Sequence, residues 1–423
     1  MSKADEHRPG YKHTPLGWIP EEWKIRSLSD DIEFLDAGVS VNSINEKSDS
    51  GEPCVLKTSA VNGGYFYPEQ KKKILMKDLH RAKLNPTANS IIISRMNTPE
   101  LVGECGYVDS TYNDIFLPDR LWQTRFYAES ETDVQWLNYL LNEARYKAKI
   151  KGSATGTSNS MKNISKEAFL NIAYISPTKP EQLKIATILS TWDEAITKTQ
   201  QLIVQLERRN RGLMQAFLEP KDDWKTYQIG DLLKEVKRPI IWDDDELYHL
   251  VSVRRRSGGA FFRQSLHGKL ILTKQLFVAE AGDFLISKMQ IVHGASAVVP
   301  PELAGMKVSG SYIVAHSKND DLMDINFFNW LSKTRWFYRL CYISSYGVHI
   351  EKMTFDFTDF KRRKISLPSS IEEQRSIIRI LQTASDEVKL YDQKLAALQQ
   401  QKKGLMQKLL TGEVRVNIDI NQN

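Results

Sequence analysis

The residues best suited to act on another molecule stand in short runs of cationic and amide side chains. In the first half they are Lys57-Thr58-Ser59, Lys71-Lys72-Lys73, Arg95-Met96-Asn97-Thr98, and the segment from Lys151 to Asn159, which includes Ser153 and Thr157. The second half offers Arg254-Arg255-Arg256, Arg263, Lys288-Met289-Gln290, His293, and Ser345, Tyr346 and His349. Guanidinium and ammonium groups suit phosphates and guanine edges, and carboxamides suit adenine. Loops rich in Gly, Ser and Thr let backbone N–H groups approach phosphate. Three adjacent arginines repel one another unless an anion is near. The run Arg254–Arg256 is therefore the best candidate for contact with DNA. Any one of these residues taken alone reads more readily as a solvated surface charge.

Bond-making chemistry has no comparable candidates. There is no G-x-x-x-x-G-K-[ST] phosphate loop, since no lysine follows the glycines of Gly152–Gly156. The Asn/Asp-Pro-Pro-aromatic motif of amino-methyltransferases is missing, and Asn85-Pro86-Thr87 is the nearest approach. A metal-dependent nuclease needs clustered acids and a lysine. Glu235-Val236-Lys237 is a fragment of that pattern, but with Asp231-Leu232-Leu233-Lys234 before it the segment reads as an exposed helix face. No HExxH or histidine cluster offers a metal site. Cys54, Cys105 and Cys341 are far apart, which argues against a disulfide framework and for a reducing cytoplasm. We therefore expect no catalytic residue, no metal and no cofactor of the chain's own.

A length of 423 residues suggests two to four domains. The net charge of +6 fits an anionic partner, weakly by itself. No apolar run reaches the roughly 18 residues that span a bilayer. Residues 1–13 are polar and read as a loose tail without a signal-peptide core. The expected location is the cytoplasm, with no membrane contact.

What must position the cationic runs is a chain built twice. Arg211-Gly212-Leu213-Met214-Gln215 returns as Lys403-Gly404-Leu405-Met406-Gln407, an offset of 192 residues. At that offset Glu181-Gln182 matches Glu373-Gln374, and Leu206 matches Leu398. Upstream, the correspondence is looser: Trp23-Lys24 with Trp224-Lys225, Ile91–Met96 with Phe284–Met289, and Gly156 with Gly347. The closely repeated stretches are helical in period. Ile185, Trp192, Thr199, Leu206 and Leu213 hold one heptad position; Leu189, Ile196, Ile203, Asn210 and Phe217 hold the other. Thirty-eight residues from Glu181 make a rod of about 57 Å. Two such rods predict an antiparallel coiled coil, with Asn210 and Lys402 as polar register points on the seam. A second apolar row on the first helix, including Ile188 and Leu202, with Ile380 on the second, is expected to bind a partner, the alternative being contact with the chain's own globular domains.

The remaining segments mix strands and helices. Ile91–Ser94, Phe284–Ser287 and Val308–His316 read as strands. Asp133–Ile150 and Asp324–Leu340 read as single helices with aspartate caps. The expected fold class is mixed α/β. Its boundaries are a first domain at 1–179, a helix at 180–219, a second domain at 220–368, a helix at 369–412, and a tail at 413–423.

Several of these stretches carry a resemblance. Gly17-Trp18-Ile19-Pro20-Glu21-Glu22-Trp23-Lys24 is similar to the opening of the specificity subunits of Type I restriction-modification enzymes. Pro177 followed by Glu181-Gln182, and Pro368 followed by Glu373-Gln374, resemble the starts of their two helical regions. The run from Lys403 to Val416 resembles their C-terminal signature. The resemblance covers nearly the whole chain. It implies two pseudo-repeated target-recognition domains joined by the long helices, each docking on half of a bipartite, asymmetric site in double-stranded DNA. It further implies two DNA methyltransferase subunits as partners, bringing S-adenosylmethionine, and motor-nuclease subunits using ATP and Mg. A subunit serving methylation alone, or a coiled-coil scaffold that binds only proteins, are the alternatives.

Overall fold

In each half of the chain an aliphatic run becomes the buried inner strand of a four-stranded antiparallel sheet. The computed structural model describes residues 8–46, 48–49, 51–156 and 161–418. The chain divides into two compact units, residues 1–199 with 394–423, and residues 200–393. In the first unit the strand Ser90–Ser94 lies between Cys105–Val108 and Leu121–Phe126, with Ile32–Ala37 beyond. Ile93 faces Trp122 across this sheet. In the second unit Phe284–Ser287 lies between Ser296–Val298 and Tyr312–Ser317, with Leu233–Glu235 beyond. The two sheets match strand for strand.

A second four-stranded sheet in each unit starts from equivalent strands. Cys54–Leu56 in the first and Leu247–Val253 in the second each have one parallel and one antiparallel neighbour. The edges differ. Ser43–Ile44 adds beside Lys71–Ile74 in the first unit, whereas Leu276–Val278 adds beside Lys307–Ser309 in the second.

Four expectations need correction. Residues 11–13, read as part of a loose tail, belong to the strand Tyr11–Thr14, which pairs with Gly17–Pro20. Each domain helix is two helices. Val134–Leu141 ends at Asn142, and Ala144–Gly152 restarts from a Glu143 cap. Ile325–Leu331 ends at Ser332, and Arg335–Ile343 restarts from a Thr334 cap. A capping side chain satisfies the N–H groups of a new first turn, so the helical period carries on across a break. The segment Val308–His316 is likewise two strands, Lys307–Ser309 and Tyr312–Ser317, which serve different sheets across Gly310. Leu233–Glu235 is a strand paired with Ala315–Ser317, not part of a helix face.

The long helices are Lys179–Leu218 and Ile371–Leu410, of 40 residues each. The second begins at Ser370, whose Oγ accepts the N–H of Glu372 at 3.1 Å. It stops before Gly412, which takes the left-handed φ of +75° that glycine adopts freely. Within the first unit, Ile185 and Leu189 at the start of the first helix share a core with Leu409 and Leu410 at the end of the second. Within the second unit, Leu218 at the end of the first helix shares a core with Ile377 and Leu381 at the start of the second. The pairing is therefore antiparallel in both units.

The polar seam residues both cross the seam. Asn210 Nδ2 donates to the carbonyl of Ala384 at 2.7 Å. Lys402 Nζ lies 2.5 Å from Asp193 Oδ1, and Tyr139 donates to Asp193 Oδ2 at 2.6 Å. Burial and Asp193 together raise the Tyr65 and Tyr139 phenols far above their ordinary range.

Candidate nucleic-acid interface

In the first unit the chain leaves Cys54–Leu56 through Lys57, which caps a short turn at Thr58–Ala60. Ser59 is exposed. Lys57 and Thr58 line a polar cleft of about 350 Å³ with Lys72, Arg120, Ser40 and Ser43. Strand alternation sorts the lysine run. Lys71 and Lys73 face Asp114 at 3.7 Å and Glu52 at 2.5 Å, while Lys72 points the other way, into the cleft. The Lys73 hydrogen bond holds the Glu52 carboxyl below its usual range. No carboxylate is among the cleft's lining residues, so Lys57, Lys72 and Arg120 form a concentrated positive site.

Arg95 supports this cleft without lining it. Its Nε donates to the Asp119 carbonyl at 2.7 Å, and its guanidinium lies 5.8 Å from the Trp122 ring centroid. Asn97 is half-buried and donates to Ser94 Oγ at 3.1 Å. Lys151 is drawn away to the Glu100 carbonyl at 2.5 Å and to Glu104 at 3.5 Å. Ser153 closes the end of Ala144–Gly152, its Oγ donating to Ile150. Thr157 lies outside the described residues.

In the second unit Arg254–Arg256 form the tip of the hairpin between Leu247–Val253 and Ala260–His267. Arg254 lies over Phe261 at 4.1 Å. Arg256 takes a positive φ of 56°, and its N–H donates to the His293 carbonyl at 2.7 Å. Arg255 bonds Glu351 at 3.2 Å. His293 Nε2 is 3.3 Å from the same carboxylate, without hydrogen-bond geometry. Glu351 thus draws three separate segments together around the hairpin tip. All three arginines are exposed, as is Arg263 on the second strand of the hairpin. No carboxylate pairs with Arg254, Arg256 or Arg263 among the described residues.

The other predicted residues of this unit divide between surface and interior. Tyr346 and His349 are exposed. Ser345 is buried, donating to the Cys341 carbonyl at 2.7 Å. Lys288 Nζ donates to the Gly310 carbonyl at 2.7 Å. Gln290 turns its Oε1 inward, where it has no partner. One strand pairing is common to both units. Thr155 pairs with Asn163, and Tyr346 with Thr354. A Cβ on Gly156 or on Gly347 would come within 2.9 Å of the opposing strand's backbone, so each pairing requires glycine.

The sequence missed Arg120, and it gave Lys72 no more weight than its neighbours. Arg120 has no cationic neighbour in sequence and enters the cleft only through the fold. Of the residues expected to bind a partner, Ile188 packs against the first unit's own core, Leu202 is half-buried and Ile380 is 41% exposed. No group of three or more His, Cys, Asp and Glu side chains among the described residues could hold a metal ion, and no described helix is long and apolar enough to cross a membrane.

The family model for the Type I restriction modification DNA specificity domain matches residues 20–208 and again 221–400. The chain belongs to that family. Type I specificity subunits resemble it end to end. The Type I restriction enzyme MjaVIII specificity subunit of Methanocaldococcus jannaschii is 21% identical over 439 residues, covering 94% of each chain. The crystal structure of a Type I restriction-modification S subunit from M. genitalium aligns with 92% of this chain and 96% of its own, at a TM-score of 0.56 and 17% identity. A structure described under complex assembly and conformational transition of the type I R-M system aligns over 94% of this chain and 99% of its own, at a TM-score of 0.57 and 15% identity. The specificity subunit is thus a DNA-recognition component of a restriction-modification system, built as a mixed α/β duplication.

Proposed function

We propose that this chain reads a bipartite, asymmetric duplex site, one half with each unit, and performs no bond chemistry itself. One observation carries the reading. In each unit, cations that no carboxylate among the described residues neutralises stand where the chain leaves the equivalent strand: Lys57 with Lys72 and Arg120, and Arg254 with Arg256, followed by Arg263 on the next strand. Phosphate contacts of this kind fix a protein on the duplex, and neighbouring side chains then meet base edges. The two loops differ in length and chemistry, so the two half-sites differ in sequence. The long helices set the spacer between them, as protein geometry sets half-site spacing in other DNA binders.

Two methyltransferase subunits dock on the helices and supply S-adenosylmethionine chemistry. Motor-nuclease subunits, where present, bring ATP and Mg. The test is methylome sequencing of a host carrying this chain with its methyltransferase subunit. A methylated motif of two unlike parts with a fixed gap is expected. Absence of any retarded duplex by the assembled subunits at low salt would overturn the reading in favour of a protein-only scaffold.

A further inference from the structure

The second unit contains a cavity of about 590 Å³ between the last turns of the first long helix and the Lys333–Trp336 turn. Its floor is apolar, from Met214 and the buried Leu218. Its polar groups are mostly donors. Arg211 and Arg335 are exposed at its rim, and neither pairs with a carboxylate among the described residues. Lys333 Nζ lies 3.5 Å from the Trp330 ring centroid and pairs with no carboxylate among the described residues. Burial, with Lys389 nearby, pushes Lys333 down to about 8. Trp336 Nε1 is buried and has no acceptor. The lining carboxylate, Glu219, is bonded to Gln215 Nε2 at 3.3 Å. Burying donors without acceptors costs folding free energy. Such costs concentrate at binding sites.

The first unit has a cavity of about 530 Å³ that overlaps the equivalent region at two lining positions. Met406 stands there for Met214, and Asn142 for Lys333. Its lysine, Lys402, is already neutralised by Asp193 at 2.5 Å. Where the second-unit cavity carries Lys333 the first-unit cavity has Asn142, and the first-unit cavity's own lysine, at the position that Asn210 holds in the other helix, is already paired within the chain.

We propose that the second-unit cavity receives a carboxylate borne beside an apolar side chain on a methyltransferase subunit, and that the first-unit cavity does not. Charge complementarity calls for the carboxylate. The apolar floor selects a protein over DNA, because a phosphodiester brings nothing to cover Met214 and Leu218. The inference rests on the reading above, in which methyltransferase subunits are the partners.

The test is titration of the full chain with purified methyltransferase subunit by calorimetry, alongside duplex binding by the chain alone. The double variant Arg211→Gln, Arg335→Gln should keep the parent's circular dichroism and bind at least one methyltransferase subunit about tenfold more weakly. Its duplex binding should be unchanged. The single variant Arg335→Glu should act in the same direction, and a Met406→Ala change in the first-unit cavity should leave methyltransferase binding at the parent's strength. Unchanged assembly of both rim variants overturns the inference. So does weakened duplex binding with normal assembly, which would make the cavity a phosphate site. Failure of the unmodified chain to bind the subunit at all overturns the functional reading itself, and is seen before any variant is made.

Discussion

The two units start from the same residues at the joint between domain and long helix, and they finish that joint differently. In both, a glutamine from the helix accepts the N–H of the aspartate that caps the domain helix: Gln182 with Asp133 at 2.7 Å, Gln374 with Asp324 at 3.0 Å. In the first unit Trp23 Nε1 also donates to the fully buried Glu181 at 2.9 Å. Arg415 closes on the same carboxylate at 2.6 Å and raises its own pKa by doing so. In the second unit Trp224 Nε1 has no partner, and Glu373 sits near the surface, 3.6 Å from Lys221. The carboxamide joint is therefore the shared device. The ion pair on the buried Glu181 carboxylate is private to the first unit, its exposed arginine supplied by chain that follows the second long helix.

That comparison can be broken most sharply at Arg415. Arg415 is exposed but Glu181 is buried, so removing the arginine leaves a buried carboxylate without its counter-charge. Arg415→Ala should cost about 3 kcal/mol, and hydrogen exchange should show the loss confined to the first unit. Equal loosening of both units would show that the private ion pair supports the whole chain. Next in size is Arg254→Glu with Arg256→Glu. Duplex affinity should fall by about 2 kcal/mol or more, with a shallower salt dependence. Lys57→Gln with Lys72→Gln should act in the same direction, more weakly because Arg120 remains. An effect of only one pair would mean that the units do not share the work of holding DNA. Leu202→Glu comes third. Leu202 is half-buried on the helix flank, so the fold should survive while methyltransferase binding weakens by about 1 kcal/mol. Full complex recovery on size exclusion would count against it.

The long helices were legible from sequence because heptad spacing, caps and terminators all agree. Ser370 and Gly412 do at the ends what their types predict. The pairing direction was legible too, since repeated helices alternate with returning domains. The domains were harder. Asn142-Glu143 and Ser332-Lys333-Thr334 break helices inside an unbroken apolar period, and only their capping geometry reveals it. Gly310 sends one apolar run into two sheets, which no periodicity encodes. The cationic cleft was half legible. Lys57 and the Arg254 run stand out locally, whereas Arg120 joins Lys57 and Lys72 only because non-neighbouring strands meet. A residue type shows what it can bind; whether Glu104 has already claimed Lys151 is decided by the fold.

The smallest expected effect separates the two cavities by pH. Lys333 is held down to about 8 in the folded chain, against roughly 10.4 when unfolded. Between those values the unfolded chain binds more protons than the folded one, so this residue makes stability rise with pH across that window. Below pH 8 the folded chain carries the whole cost of a half-buried ammonium. Lys333→Met keeps the aliphatic stem and removes the charge. It should stabilise the second unit by about 1 kcal/mol at pH 7, read as a higher denaturant midpoint, and the gain should fade as pH approaches 10.5. A gain that persists there would trace to packing on Trp330 and not to charge. The first unit offers no equivalent, because Asn142 stands at the matching position and has no proton to lose. If the second-unit cavity binds a carboxylate, the same Lys333→Met change must also weaken partner binding, so stability and assembly should move in opposite directions in that unit alone.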